Sequence, residues 1–205
     1  MQYSRRTHSV PCHIAIGANG PQGPATNARR IVAAVARLRA ILGRGVAASR
    51  LWRSPAWPPG SGPDFVNAAV TLPARMPPRA VLDRLHMLED RAGRIRRTRW
   101  GPRVLDLDLV AVGASVRPDR DTLRRWMNLD ATSQTRVAPD ALILPHPRMQ
   151  DRAFVLFPLA ELAPRWRHPL TGRTVASMAE GVPLAGRTGL RPVFGAALVN
   201  RRLRA

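Results

Sequence analysis

Residues 91–110 read RAGRIRRTRWGPRVLDLDLV, and the reading of this stretch decides the fold. Six arginines fall between Arg91 and Arg103, followed by an apolar run that carries Asp106 and Asp108. Side chains alternate along a strand, so Leu105, Leu107 and Leu109 face a core while both aspartates share the opposite face. At roughly 3.3 Å per residue their carbons stand about 6–7 Å apart, a span that one or two hard cations can bridge. The arginine-rich segment before the strand, with Gly93, Gly101 and Pro102, reads as a loop.

Working outward, each flanking segment has a period of its own. HIAIGANG reads as a strand over His13–Ile16 that ends in a Gly-Ala-Asn-Gly turn. Ile31, Val35, Leu38 and Leu42 have helical spacing over Ala25–Leu42, with Asn27 as the expected cap and Gly43 as the stop. Val46–Trp52 reads as a strand, Ser54–Asp64 as a loop and Phe65–Leu72 as an alternating strand. Pro77 and Pro78 open a helix to about Arg91, with Val81, Leu85 and Leu88 on one face. With a last strand over Arg103–Val112 the order is βαββαβ. That order predicts an α+β, ferredoxin-like core: an antiparallel four-stranded sheet with two helices on one face.

Residues 113–141 read as a polar insertion with one helix near Thr122–Asn128. RAFVLFPLAELAP reads as a short helix closed by Pro164. The expected organisation is a single domain over residues 10–181, followed by a basic tail, 182–205, without ordered structure.

Composition narrows the function. The 205 residues carry 33 basic and 13 acidic side chains, a formal charge of +20, and no lysine. Without lysine there is no Walker A lysine, no kinase strand lysine and no Schiff-base amine. The positive excess predicts an anionic partner. The single cysteine, Cys12, excludes an internal disulfide and a Cys-rich zinc site. The absence of both an apolar leader and a membrane span gives a cytoplasmic expectation.

Alone, a D-x-D pair is as compatible with solvated ion pairs as with a metal site. Its setting favours the metal, because Arg94, Arg96, Arg99 and Arg103 lie directly upstream. Guanidinium groups clamp phosphate oxygens, and carboxylates hold Mg²⁺ beside them. The combination suits phosphoryl transfer, which depends on positioning and charge stabilisation. LPHPRMQDRAF brings His146, Arg152 and Phe154 together, and GPDFVNAAV sets Phe65 and Asn67 on one strand face. An aromatic beside an amide can stack on a flat heterocycle and read its edge, although Phe65 is equally compatible with a core position and His146 with a turn.

Taken with IAIGANG, these motifs in this order resemble the 6-hydroxymethyl-7,8-dihydropterin pyrophosphokinases of folate biosynthesis. The resemblance covers most of residues 13–170. It implies pyrophosphate transfer from ATP to the hydroxymethyl dihydropterin, giving AMP and the pterin pyrophosphate. It also implies two Mg²⁺ ions on Asp106 and Asp108, with ATP as co-substrate. Arg94 and Arg103 inherit phosphate and transition-state contacts, while Glu89, Arg96, Arg99, His146 and Arg152 shape the nucleotide side. Ser54, Trp57, Phe65, Asn67, Trp100 and Phe154 surround the pterin. Ala56 and Trp57 depart from the family's usual loop, and Phe65 stands where a tyrosine is common.

The rival reading is a ferredoxin-like RNA-binding module without catalysis, suggested by the +20 charge; it lacks the stacking aromatic motif such modules use. A nucleotide-sugar transferase using D-x-D would need a larger nucleotide domain. The expected partners are therefore two small molecules, with no nucleic acid, no membrane and a monomeric chain.

Overall fold

β1 (Val10–Ala18) is the hub of the structure, a computed structural model that describes residues 9–43, 45–56, 60–93, 103–130, 133 and 136–193. β1 pairs antiparallel with β4 (Phe65–Ala74) on one side and with β5 (Asp106–Val112) on the other. β2 (Ala47–Ala48) and β3 (Trp52–Ser54) both pair with β4. The core order is thus β5-β1-β4-β3, all antiparallel, with β6 (Arg191–Pro192) added to β3 at the edge. This is the sheet expected of a βαββαβ chain.

Two helices cover one face. α1 (Pro24–Leu42) lies against β1 and β4, and α2 (Pro78–Arg91) against β5. α1 buries Ile31, Ala34, Val35 and Leu38, the stripe that its 3.6-residue period dictates. It opens on Pro24, where a missing N–H costs nothing, and stops at Gly43, whose φ of 94° only glycine adopts readily. Asn27 is no cap: it is buried in the first turn, and its Nδ2 donates to Gly20 O at 3.0 Å. α2 brings Val81, Leu85 and Leu88 against Leu105, Leu107 and Leu109, all buried. Truncation of the fully buried Leu85 to alanine is expected to cost about 2–5 kcal/mol. A lowered urea midpoint at constant m checks it.

The other face carries a second layer. α3 (Arg120–Met127) sits in the insertion with Leu123 buried. α4 (Ala153–Ala160) and α5 (Val175–Glu180) pack over Ala15, Ala69 and Val110. The two alanines leave room for α4 to approach the sheet. Among the described residues no helix is long and apolar enough to cross a membrane.

Two expectations need correction. Val46–Trp52 is not one strand, because Ser49–Leu51 separate β2 from β3. The buried Ser49 Oγ accepts from Ala69 N at 2.9 Å and donates to Arg50 O, so a side chain enters the ladder at the break. Residues 182–193 are ordered: α6 (Leu184–Arg187) and β6 close the sheet edge, and Val193 N donates to Leu51 O at 2.8 Å. The remainder of the tail, 194–205, lies outside the described residues.

Candidate active site

Strand register builds the site before any side chain is considered. Asp106 of β5 lies opposite Gly17 of β1, Gly17 opposite Asn67 of β4, and Asn67 opposite Trp52 of β3. With strands about 4.8 Å apart, that row sets Asp106 and Asn67 roughly 10 Å from each other across a glycine. A Cβ at Gly17 would stand 3.4 Å from Asn67 Oδ1 and 3.5 Å from Phe65. In the next row Asp108 faces Ala15. Small residues on β1 therefore leave a floor with carboxylates at one end and an amide at the other.

A cavity of about 680 Å³ opens over this floor, with Ser54, Phe65, Asn67, Arg103, Asp106, Asp108, Arg152 and Phe154 in its walls. Those eight sequence-predicted residues come together. Pro55 and Ala56 also border it. Trp57, Arg94, Arg96, Arg99 and Trp100 lie outside the described residues.

At the carboxylate end Arg103 Nη1 donates to Asp106 Oδ2, and Arg152 Nη1 stands 3.7 Å from Asp108 Oδ2. Burial opposes the charge on Arg103, but Asp106 first, then Asp108 and Glu89, more than restore it, so its pKa is raised. Arg103 remains a cation throughout the physiological range. Arg152 also lies 5.7 Å from the Phe154 ring centre, a cation–π contact. At the other end Asn67 Nδ2 donates to Ser54 Oγ at 2.9 Å, which sets the amide's orientation.

Glu89 and His146 do not border the cavity; both brace it from behind. Glu89, 1% exposed, accepts from Leu107 N at 2.8 Å and so holds the strand between the two aspartates. His146 N donates to Val110 O at 2.8 Å, and its Nδ1 accepts from Arg148 N at 3.1 Å. Burial, followed by the charges of Arg152 and Arg148, pushes the His146 pKa down to about 3. It is neutral at pH 7 and offers no positive charge to a phosphate.

Three further elements lay beyond the sequence reading. Asn19 ties the walls together: its Oδ1 accepts from Arg103 N at 2.7 Å, its N donates to Arg103 O at 2.9 Å, and its Nδ2 donates to Pro63 O at 3.2 Å. The Gly-Ala-Asn-Gly turn was its only sequence signal. Asp151 joins the cavity with its pKa raised by burial. Thr188 and Leu190 supply a C-terminal wall from a segment without periodicity.

For Mg²⁺ the donor set fits. Asp106 and Asp108 offer hard oxygens on one face, with side-chain exposures of 15% and 35%. Among the described residues no group of three or more His, Cys, Asp or Glu could hold a metal. A magnesium ion held by two carboxylates completes its shell with substrate phosphates and water, which is its usual habit in phosphoryl-transfer sites.

Known proteins share this architecture. The family model for 7,8-dihydro-6-hydroxymethylpterin-pyrophosphokinase (HPPK) matches residues 13–164. A Synechocystis protein named 2-amino-4-hydroxy-6-hydroxymethyldihydropteridine pyrophosphokinase is 39% identical over 173 residues, covering 83% of this chain and 77% of the relative. Its Pseudomonas aeruginosa namesake is 38% identical, over 70% of this chain and 75% of the relative. Among solved structures, an HPPK-DHPS in complex with substrates superposes with a TM-score of 0.61 at 11% identity, over 89% of this chain and 45% of that one. Wild-type Plasmodium falciparum HPPK-DHPS gives 0.58, over 86% and 45%. The chain thus spans just under half the length of these solved chains, and at that identity the likeness concerns the fold. On the family match and the curated relatives together, the chain belongs to the 7,8-dihydro-6-hydroxymethylpterin-pyrophosphokinase family.

Proposed function

We propose that this chain transfers the pyrophosphoryl group of ATP to 6-hydroxymethyl-7,8-dihydropterin, releasing AMP, in folate biosynthesis. The observation that carries the reading is the row Asp106–Gly17–Asn67: one sheet face bears a charge-handling end and a heterocycle-reading end within a single cavity. Phe65 and Phe154 stack on the two faces of the pterin, and Asn67, oriented by Ser54, pairs with its amide edge. Trp57 and Trp100 belong to the same end by the resemblance.

The hydroxymethyl oxygen attacks the β-phosphorus in line. A new O–P bond forms, the bond from the β-phosphorus to the α-bridging oxygen breaks, and AMP departs with that oxygen. The hydroxyl proton passes to solvent, and no dedicated base is assigned to it. Arg103 and Arg152 hold phosphate oxygens and offset charge developing on them. Arg94, Arg96 and Arg99 extend that clamp from the preceding loop. When bound at Asp106 and Asp108, two magnesium ions neutralise phosphate charge and make the attacking hydroxyl more acidic. Glu89 and His146 act by holding β5 and the 146–148 turn. The reading takes the chain as a monomer, and Thr188 and Leu190 in the cavity wall carry the working domain past residue 181.

The test is to incubate the protein with Mg²⁺, ATP and the dihydropterin and then separate the nucleotides. AMP is expected in step with pterin pyrophosphate and only with both substrates present. ADP, or no turnover by folded protein, would overturn the reading, and salt-sensitive RNA binding in its place would favour the binding module.

A further inference from the structure

A second hollow of about 220 Å³ lies between α1 and α2, on the helix-covered face of the sheet. Its floor includes Leu88, Val104 and Leu105, and its rim carries Arg30, Arg37 and Arg91. Among the described residues no carboxylate borders it. Leu105 shares its strand face with Leu107 and Leu109 and packs with them among the helices, whereas Asp106 and Asp108 project to the other face. The hollow is therefore separate from the catalytic cavity.

The arginines are placed to act together. Arg30 and Arg37 are seven residues apart, two turns along one side of α1, so their Cα atoms stand about 10 Å apart. Between them Ala33 and Ala34 are too small to fill the hollow. Arg30 Nη1 is held by Gln22 Oε1 and Asn27 Oδ1, both at 3.0 Å. These acceptors are neutral, so the guanidinium is oriented without being neutralised. Arg91 reaches the rim from the last turn of α2. Among the described residues neither Arg37 nor Arg91 has an ion-pair partner.

We propose that Arg30, Arg37 and Arg91 form a second anion site that binds a linear polyphosphate. Two cations about 10 Å apart on α1, with a third reaching the rim from α2, match a chain carrying several charges better than a single compact anion. Guanidinium groups take phosphate oxygens in pairs and keep their charge at any relevant pH. The chemistry is shared by inorganic triphosphate and the tail of a nucleoside triphosphate.

Calorimetric titration of the full chain with inorganic triphosphate, in magnesium-free buffer containing a chelator, tests the site without relying on turnover. The expected result is a site that persists in Arg103→Ser and weakens at least tenfold in the double variant Arg37→Ser/Arg91→Ser. The double variant should keep basal turnover within twofold, since neither arginine borders the catalytic cavity. An equal loss of charge on α3, Arg124→Ser/Arg125→Ser, should leave affinity within twofold. Competition by ATP but not by AMP would mark the nucleotide tail as a ligand, and resistance to ATP would mark the free polyphosphate; either sustains the site. Binding lost with Arg103→Ser alone, untouched by the double variant, or weakened equally by the α3 control would overturn it.

Discussion

Asp106→Ala is expected to lower kcat by about 10³-fold while leaving the fold intact, a loss of about 4 kcal/mol of transition-state stabilisation. The carboxylate is one of two hard-oxygen donors on its sheet face and the direct partner of Arg103. Removal takes away half of the metal-binding pair and frees the guanidinium to rotate out of place. Asp106→Asn keeps the volume and discards the charge, so it should lose nearly as much. KM for the pterin should change little in either variant, because Ser54, Phe65 and Asn67 hold that substrate from the opposite end of the row. Asn67→Ala should do the converse, raising KM for the pterin with a smaller effect on kcat, since it also leaves Ser54 Oγ without its donor. Steady-state AMP formation separates the two patterns. Turnover within tenfold of wild type in Asp106→Ala would place the phosphate end elsewhere in the cavity. Near-ultraviolet circular dichroism confirms that the variant is folded.

The same row explains which parts of the site were legible. Asp106 and Asp108 could be read directly, because a period of two assigns faces without any tertiary information, and the buried Leu105, Leu107 and Leu109 agree. Phe65 and Asn67 follow from the same rule. Asn19 could not be read this way. Its importance comes from accepting a hydrogen bond from Arg103, 84 positions away, and donating one to Pro63, and no local pattern encodes either partner. Thr188 and Leu190 are hidden for a related reason: a two-residue strand pairing with β3 places their segment, and two residues have no period. The misread strand at Val46–Trp52 shows the opposite failure. The segment reads as extended from its apolar residues, but Ser49 turns its hydroxyl into the ladder and divides it, and a serine there resembles any other small strand residue. Glu89 entered the nucleotide side through the family resemblance alone. Its carboxylate points under β5 and holds Leu107 N.

Acid should unfold this protein unusually early, and three histidines set the window. Burial pushes His13 and His168 each down to about 4, and His146, with the charges of Arg152 and Arg148 added, to about 3. The environment of each favours the neutral ring. His13 Nδ1 meets Thr71 Oγ1 at 3.0 Å, His168 Nδ1 accepts from Leu170 N at 3.2 Å, and His146 Nδ1 accepts from Arg148 N. Trp166 stands edge-on between His13 and His168, with ring centres 5.6 Å and 6.1 Å away, and the Nε2 atoms of both histidines are buried without a hydrogen-bond partner among the described residues. In the unfolded chain all three take up protons near pH 6.5. Between that value and about 4 the unfolded state binds up to three protons that the native state refuses, so stability is present above 6.5 and falls as the pH drops. Each histidine contributes a slope of about 1.4 kcal/mol per pH unit once its unfolded form is protonated. Together the three approach about 4 kcal/mol per unit, which would consume a typical domain's 5–15 kcal/mol within a few units. Urea unfolding at pH 7.0, 6.0, 5.5 and 5.0 should show this steepening, with little change above pH 7. His168→Gln should remove about a third of the slope, even where the substitution lowers stability at pH 7. A slope below about 1 kcal/mol per unit between pH 6 and 5 would mean that the native protein accepts these protons, and that the His13–Trp166–His168 stack opens to water.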